Sequence, residues 1–298
     1  MRKIACIGEA MIELSFPAGR RSQAHIGFSG DVLNTAVYLK RAIGAQAEVA
    51  FISALGCDQF SAQMVAFIER EGVWVDKIKR IPERLPGLYA IMTNTDGERS
   101  FTYWRENSAA RMMFEQEDFS ALDGFDTLYF SGITLAILPK VTRQAFLERA
   151  RALRQEKGVT VIFDSNYRPG LWESEAEARV WVEAAWRITD IALPSLDDEM
   201  ALFRDAGLKE VSARLKSYGI KQGAIKNGAA GPTSIADIGQ KPDYPQARTV
   251  VDTTAAGDSF NGAFIAALAG GKGLQDALTL AHKCAAGVVG ISGVFEDV

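Results

Sequence analysis

The sequence predicts an α/β protein with a central, mostly parallel sheet, and three observations support this class. A short apolar strand, Lys3 to Ile7, ends at a glycine, which is the usual opening of a doubly wound sheet. Buried-type strands at Asp126 to Ser131 and Val159 to Asp164 enclose a helical stretch, and this β-α-β rhythm is typical of parallel strands. No repeat, low-complexity tract or linker interrupts the 298 residues, so we expect a single domain over residues 1–298.

The other strands are predicted from alternation, β-branched content and turn signals. Alternating apolar and polar residues indicate two half-exposed strands that belong to a second sheet. Asp96-Gly97 between two β-rich runs is a hairpin signal. In chain order these strands are Met11 to Phe16, His25 to Phe28, Val49 to Ala54, Gly87 to Asn94, Arg99 to Trp104, Ile191 to Leu193, Ala224 to Lys226, a segment around Ser234 to Ile238, and a strand ending at Thr249 to Val251.

Helices are predicted where apolar residues recur at helical spacing behind a polar or small starting residue. The first opens at Ser29-Gly30-Asp31, and its apolar residues run from Val32 to Leu39. The others are Gln59 to Glu71, about Thr142 to Glu156, about Ala176 to Arg187, a helix beginning at Pro194, a helix that opens within Asp252 to Phe260 and runs to about Gly270, and about Leu274 to Val289.

Composition excludes several classes of protein. Hydrophobic residues make up 48% and charged residues 23%, as in a globular protein with a sizeable core. The net charge of −4 argues against nucleic acid or an anionic membrane as the main partner. The apolar runs fall short of the ~20 residues of a membrane span, and the N-terminus does not resemble a signal peptide. We therefore expect a cytoplasmic enzyme.

Cysteine and histidine usage narrows the chemistry further. The three cysteines are odd in number, far apart and set in apolar surroundings, so we interpret them as reduced core thiols. They are Cys6, Cys57 and Cys284. Because His25 and His282 are the only histidines, His-rich zinc sites and Ser-His-Asp catalysis are disfavoured.

The most informative stretch is Asp252-Thr253-Thr254-Ala255-Ala256-Gly257-Asp258. Small residues at a helix start let backbone N–H groups approach an anion, and the helix dipole adds positive character there. Asp258 follows in the first turn, where it can accept a hydroxyl proton. The motif thus predicts phosphoryl transfer, with an Asp258 that merely complements the helix N-terminus as the simpler alternative.

Other polar residues at element ends are weaker candidates. Asn34 lies in the first turn of its helix, where it can face a ligand or solvent. Tyr89, Tyr103 and Arg105 belong to an aromatic and arginine face of the hairpin, which is explained by packing or by ligand contact. Arg168, after a strand end, can bind a substrate carboxylate through its planar guanidinium or pair with a surface acid.

Two further segments have readings of the same kind. Asp197-Asp198-Glu199 open a helix, where acids complement the dipole or hold water around Mg²⁺. Asn227 to Pro232 is a glycine-bearing turn that either approaches a nucleotide phosphate or simply closes a hairpin.

Taken in order, these motifs resemble those of the ribokinase-like sugar kinases, the PfkB family, over nearly the whole chain. Those that carry the resemblance are Gly30-Asp31-Val32-Leu33-Asn34, Pro86-Gly87-Leu88-Tyr89, Tyr103-Trp104-Arg105, Asp164 to Pro169, Lys226-Asn227-Gly228 and Asp252 to Phe260. The two strongest motifs are Gly30 to Asn34 and Asp252 to Phe260. The other four motifs favour the branch of the family that acts on 2-keto-3-deoxygluconate. The resemblance implies a three-layer fold with a central, mostly parallel sheet, flanking helices and a small β-sheet lid formed by about residues 11–29 and 86–106.

The resemblance also implies ATP- and Mg²⁺-dependent phosphorylation of the 6-hydroxyl of that sugar acid. It assigns catalysis to Asp258 with Ala255, Ala256 and Gly257 as the anion hole. Implied substrate positions are Gly30, Asn34, Tyr89, Tyr103, Arg105, Arg168 and Asp258. Implied nucleotide positions are Asn166, Ser195, Lys226, Gly228, Gly231, Ala255, Gly257 and His282. Asp198 is the implied Mg²⁺-linked acid.

Several points stay open at the level of sequence. Ser29, Ser195, Asp198 and His282 differ from the residues usual at their positions, and the chain ends at Val298, somewhat early for the family. A monovalent cation and a homodimer or higher homo-oligomer formed through the lid are further implications. Alternatives are a kinase for fructose, tagatose or 2-keto-3-deoxygalactonate and a non-catalytic sugar-sensing protein. A nicotinamide-dependent enzyme is disfavoured because no G-x-G-x-x-G follows the first strand.

Overall fold

The computed structural model describes residues 1–16, 23–94, 99–239, 242–247, 249–290 and 293–295. Its strands are β1 (Arg2–Ile7), β2 (Met11–Phe16), β3 (His25–Ser29), β4 (Ala47–Leu55), β5 (Ile78–Arg80), β6 (Gly87–Thr93), β7 (Arg99–Trp104), β8 (Thr127–Ser131), β9 (Thr160–Asp164), β10 (Ile191–Ala192), β11 (Gln222–Ile225) and β12 (Thr233–Ser234). Its α-helices are α1 (Asp31–Ile43), α2 (Gln59–Arg70), α3 (Gly132–Ile137), α4 (Lys140–Lys157), α5 (Glu175–Trp186), α6 (Leu196–Phe203), α7 (Leu208–Ser217), α8 (Ala256–Ala269) and α9 (Leu274–Val288).

The larger sheet has the strand order β12-β11-β10-β9-β8-β1-β4-β5, and its strands pair in parallel except for the edge strand β12. Alternate side chains of each strand point to opposite faces, so each face builds its own core. On β1, Ala5 and Ile7 join a core with α4, α5 and α7, whereas Ile4 and Cys6 join a core with α1, α8 and α9. This confirms the predicted three-layer α/β fold.

The smaller sheet has the order β3-β2-β6-β7 and comes from the two segments that the sequence analysis assigned to a lid. Its register aligns Glu13 with Tyr89 and Tyr89 with Tyr103, so these three side chains stand on one face of the sheet. The predicted hairpin turn at residues 95–98 lies outside the described residues.

Close packing brings α8 against α1 on one face of the main sheet. A Cβ atom on Gly262 of α8 would lie 2.8 Å from the carbonyl oxygen of Thr35 and 2.7 Å from the amide nitrogen of Leu39, both in α1. Only a glycine lets these two backbones come so near. Through this contact the first turn of α8 is held beside the first turn of α1.

Three local predictions need correction. Residues 249–251 are irregular rather than a strand, because the amides of Val251 and Asp252 donate to the carbonyl of Val289 at the end of α9 and not to a neighbouring strand. The β segment predicted around Ser234 to Ile238 is the two-residue strand β12. Cys57 is exposed, whereas Cys6 is buried in the core as expected.

Three elements were not predicted from the sequence patterns, namely β5, α3 and α7. β5 and α3 are short, and the apolar run of α3 directly continues that of β8, so periodicity alone does not separate them. Among the described residues, no helix has the length and apolarity needed to cross a membrane.

Candidate active site

Polar side chains collect at the carboxyl ends of the parallel strands. Asp164 ends β9, and its Oδ2 atom accepts hydrogen bonds from Lys226 Nζ at 2.5 Å and from Asn261 Nδ2 at 2.6 Å. Lys226 follows β11 and also donates to Asn261 Oδ1 at 3.1 Å. A buried carboxylate is thus matched by one ammonium group and one amide, as a buried charge requires.

The motif Asp252 to Asp258 leads into the start of α8 next to this cluster. Ala255 has a φ of 59°, a left-handed conformation that is costly for a residue with a Cβ atom and is concentrated at functional sites. First-turn amides of a helix have no partner within the helix. A Cβ atom on Gly257 would be 3.7 Å from Lys226 Nζ, so an ammonium group lies close to these amides. The arrangement suits an anion.

Asp258 lies in the same first turn, and the Asn34 amide holds it in place. Asn34 Nδ2 donates to Asp258 Oδ2 at 2.9 Å, while Asn34 Oδ1 accepts from the Ser29 hydroxyl at 3.2 Å and the Gly30 amide at 3.3 Å. Gly30 is fixed in turn, because a Cβ atom there would lie 2.1 Å from the carbonyl oxygen of Glu9. The buried Asn34 is therefore an orienting partner of the carboxylate.

The protonation of Asp258 is set by its neighbours. Burial, followed by the negative charge of Asp31, raises the pKa of Asp258 to about 7, while the Asn34 hydrogen bond and Lys226 act in the opposite direction. A carboxylate with a pKa close to neutrality is suited to accept a proton in this pH range.

Asp31 introduces a second carboxylate into the cleft. Its Oδ2 atom accepts from the Ser131 hydroxyl at 2.5 Å and from Asn166 Nδ2 at 2.9 Å. Asn166, with a φ of 29°, is another residue in the left-handed region. Its side-chain amide is therefore directed at Asp31, beside the catalytic candidate.

The lid side of the cleft carries the predicted tyrosines. Tyr89 is buried and donates a short hydrogen bond to the Glu13 carboxylate, and its ring stacks on Tyr103 with centroids 5.7 Å apart. Tyr103 is 52% exposed. Burial raises the pKa of Glu13 above its usual range, and the Tyr89 bond opposes that rise. Tyr103 thus has surface free for a ligand, whereas Tyr89 is held by Glu13.

The two predicted carboxylate-binding arginines have different environments. Arg105 is buried and forms an ion pair with the buried Glu9. The side chain of Arg168 is 53% exposed, with its NH1 atom 3.4 Å from Asp198 Oδ1 and 2.8 Å from the Tyr167 carbonyl oxygen. Arg168 is the better placed of the two for an incoming anion, because the charge of Arg105 is already matched inside the protein.

Most of the predicted nucleotide residues fall into two groups, one at the end of the main sheet and one around the ring of Tyr244. Ser195 pairs with Lys226 through an isolated parallel bridge at the end of the sheet. Gly231 contacts the ring of Tyr244, where a Cβ atom would come within 2.3 Å, and Tyr244 packs against His282 with ring centroids 4.9 Å apart. Gly228 has a φ of 46° and begins the short turn that lies between Lys226 and Gly231.

Asp198 has the chemistry of an Mg²⁺-linked acid. Its Oδ2 atom accepts from the Tyr167 amide at 3.2 Å, and burial raises its pKa, with the charge of Arg168 opposing and that of Asp164 adding to the effect. Within the described ranges no group of three or more His, Cys, Asp or Glu side chains could hold a metal. One carboxylate completed by water and phosphate oxygens is the usual Mg²⁺ arrangement, so the donor set fits.

Several residues of the site were not predicted as functional from the sequence. Glu9, Glu13 and Asp252 are buried or half-buried acids paired with lid groups, and their roles follow from contacts over large sequence separations. Asn261 had a detectable signal, since it is a polar residue three positions after Asp258 within a largely apolar helix.

Comparison with known proteins places this geometry in context. Residues 1–297 match the pfkB family of carbohydrate kinases. The chain is 40% identical over 301 residues to the 2-dehydro-3-deoxygluconokinase of Dickeya dadantii, covering 98% of this chain and 96% of that protein. It is 41% identical over 302 residues to the enzyme of the same name from Escherichia coli K12, with the same coverage. Aminoimidazole riboside kinase from Salmonella enterica, solved with aminoimidazole riboside and an ATP analog, superposes with a TM-score of 0.81 at 25% identity, covering 98% of this chain and 94% of that one.

Proposed function

This chain belongs to the pfkB family of carbohydrate kinases, and we propose from that premise that it phosphorylates 2-dehydro-3-deoxy-D-gluconate at its 6-hydroxyl with ATP. The observation that carries the proposal is the placement of Asp258, held by Asn34 at the start of α8 with Lys226 beside the same turn. The two relatives named above support the choice of substrate.

Asp258 accepts the proton of the sugar hydroxyl as that oxygen attacks the γ-phosphorus. The bond from the γ-phosphorus to the bridging oxygen of ADP breaks, and the transferred group carries its negative charge past the first-turn amides of α8. Lys226 adds positive charge at this point, so the amides and the ammonium group together stabilise the charge that is spread over the phosphoryl oxygens. The lid sheet excludes water, which would compete with the sugar as acceptor.

Arg168 binds the carboxylate of the sugar acid in this proposal. A hydrogen bond to a charged group contributes about 1.5–3 kcal/mol, so one arginine distinguishes the acid from a neutral sugar by roughly tenfold or more. Tyr103 contacts the hydroxyls from the lid side, and Arg105 with Glu9 supports the base of the lid.

ATP binds along the end of the sheet that carries Ser195, Lys226 and Gly228, with Gly231, Tyr244 and His282 farther out. Mg²⁺ would be held by Asp198 through water and by the phosphates, where it neutralises the charge of the nucleotide. A monovalent cation has a poor fit at the buried carboxylate next to the anion hole, because Asp252 is already paired with Arg99.

The test is a coupled ADP-release assay over a panel of sugars and sugar acids with the wild type and Asp258→Asn. We expect the keto acid to be preferred and Asp258→Asn to lose about 10²–10⁴-fold in kcat while binding substrate nearly as before. A preference for ribose or fructose would refute the substrate while leaving the kinase class intact. Full activity of Asp258→Asn would refute the mechanism.

We also propose that the protein forms a homo-oligomer through the outer face of the lid. Ile26 and Trp104 share that face and are 56% and 58% exposed, which is unusual for large apolar side chains on a small sheet. Trp104→Glu should then lower the mass measured by sedimentation, whereas an unchanged mass would refute this contact.

A further inference from the structure

We infer that Arg99 is a positioning residue for phosphoryl transfer: from the lid, it clamps the loop that carries the anion hole. This inference rests on the proposed function, because it assumes that the amides at the start of α8 receive the phosphoryl group. Arg99 is the first residue of β7, and it forms an ion pair with Asp252, three residues before Ala255. Arg99 therefore connects the lid sheet to the loop that leads into α8.

The contacts of Asp252 explain how this link sets the loop. Its Oδ1 atom accepts from the Thr254 amide at 2.9 Å, and its Oδ2 atom accepts from the Gly293 amide at 3.0 Å. Arg99 NH1 also reaches the Thr254 hydroxyl at 3.4 Å. The guanidinium thus contacts both ends of the Asp252–Thr254 turn, which leads directly into the anion hole.

The loop needs such a clamp because its backbone is strained. Ala255 has a φ of 59°, and a non-glycine residue stays in this region only when its surroundings hold it there. The Asp252 side chain is 3% exposed, so without Arg99 its charge would be buried and only partly compensated by amides. The side chain of Arg99 is 25% exposed and comes from β7 of the small sheet, not from the main sheet that carries the loop.

The consequence is that the lid position and the anion hole are coupled. With the lid closed, Arg99 neutralises Asp252 and the turn is fixed. When the lid opens, the ion pair breaks and the turn loses one of its anchors. The site would then be complete for the γ-phosphate only while the lid covers the sugar, which limits transfer of the phosphoryl group to water.

The experiment compares Arg99→Gln and Arg99→Lys with Arg80→Gln, a matched loss of an exposed arginine on β5 outside the lid. The first readout is steady-state kinetics. Because small misplacements of a catalytic group cost up to about 100-fold, we expect kcat of Arg99→Gln to fall about 10- to 100-fold, with a much smaller change in KM for ATP. Arg99→Lys should recover part of the loss, and Arg80→Gln should behave as the wild type.

The second readout does not require activity. Amide hydrogen exchange of peptides covering residues 249–257 should be about tenfold faster in Arg99→Gln than in Arg80→Gln or the wild type. Equal exchange and equal kcat in the two glutamine variants would overturn the inference. A wild type that phosphorylates no sugar or acid would refute the proposed function instead, and the exchange comparison would still decide the role of Arg99.

Discussion

The pH dependence of the reaction tests the environment of Asp258 most directly. With a pKa of about 7, Asp258 loses its ability to accept a proton as the pH falls through this value, so kcat/KM should decline on the acidic side. Asn34→Leu removes the 2.9 Å bond that favours the charged carboxylate. A bond to a charged group is worth about 1.5–3 kcal/mol and one pH unit corresponds to about 1.4 kcal/mol, so the acidic limb should move up by about one unit or more.

The opposite shift is expected from Asp31→Asn. This change keeps an oxygen for the Ser131 and Asn166 donors but removes the like charge that raises the pKa of Asp258, so the acidic limb should move to lower pH.

The assay is kcat/KM from coupled ADP release over a pH series on both sides of the limb. Asn107→Leu is the matched control for Asn34→Leu. Asn107 is exposed, and among the described residues its side chain accepts a hydrogen bond from Arg84 and forms none with Asp258. Limbs that stay in place in both cleft variants, or that move in the same direction, would refute the assignment of Asp258 as the base.

Three other predictions concern packing, substrate charge and buried ions. Gly262→Ala should destabilise the fold by about 1–3 kcal/mol in urea unfolding, because a Cβ atom would lie 2.7 Å from the backbone of α1, whereas Gly287→Ala on α9, with open space around it, should be neutral or stabilising. Arg168→Ala should raise KM for the sugar acid by about tenfold or more and leave KM for ATP nearly unchanged; equal effects on both would contradict a carboxylate role. Glu9→Gln should cost about 3–5 kcal/mol by leaving a buried guanidinium unpaired, while Glu183→Gln in a surface pair should cost under about 1 kcal/mol, and similar losses in the two would argue against the buried pair.

Local sequence patterns were sufficient for most of the fold. Alternation, apolar runs and glycine punctuation located the parallel strands and the hairpin that forms half of the lid. They failed at residues 249–251, where β-branched residues suggested a strand but Val289 takes the amide hydrogen bonds. Strand propensity describes a preference for a pleated surface, and a chain without a neighbouring strand cannot satisfy it.

The sequence also predicts chemistry where a short motif contains the whole arrangement. Ala255, Gly257 and Asp258 share one helix turn, so their proximity follows from local geometry, and the anion-binding character of a helix start follows from its free amides. The resemblance to the pfkB family rested on such motifs and agrees with the match over residues 1–297.

What the sequence determined by itself, therefore, was the order of most of the elements and the residues brought together within a single turn. Only the tertiary structure decided which polar groups face each other: the ion pairs of Arg105 with Glu9 and Arg99 with Asp252, and the hydrogen bond of Asn34 with Asp258 across 224 positions of the chain. The physical reason is that a charge interacts through space with whatever the fold brings near it, and burial determines how strongly, so neither property is encoded in the spacing of residues along the chain.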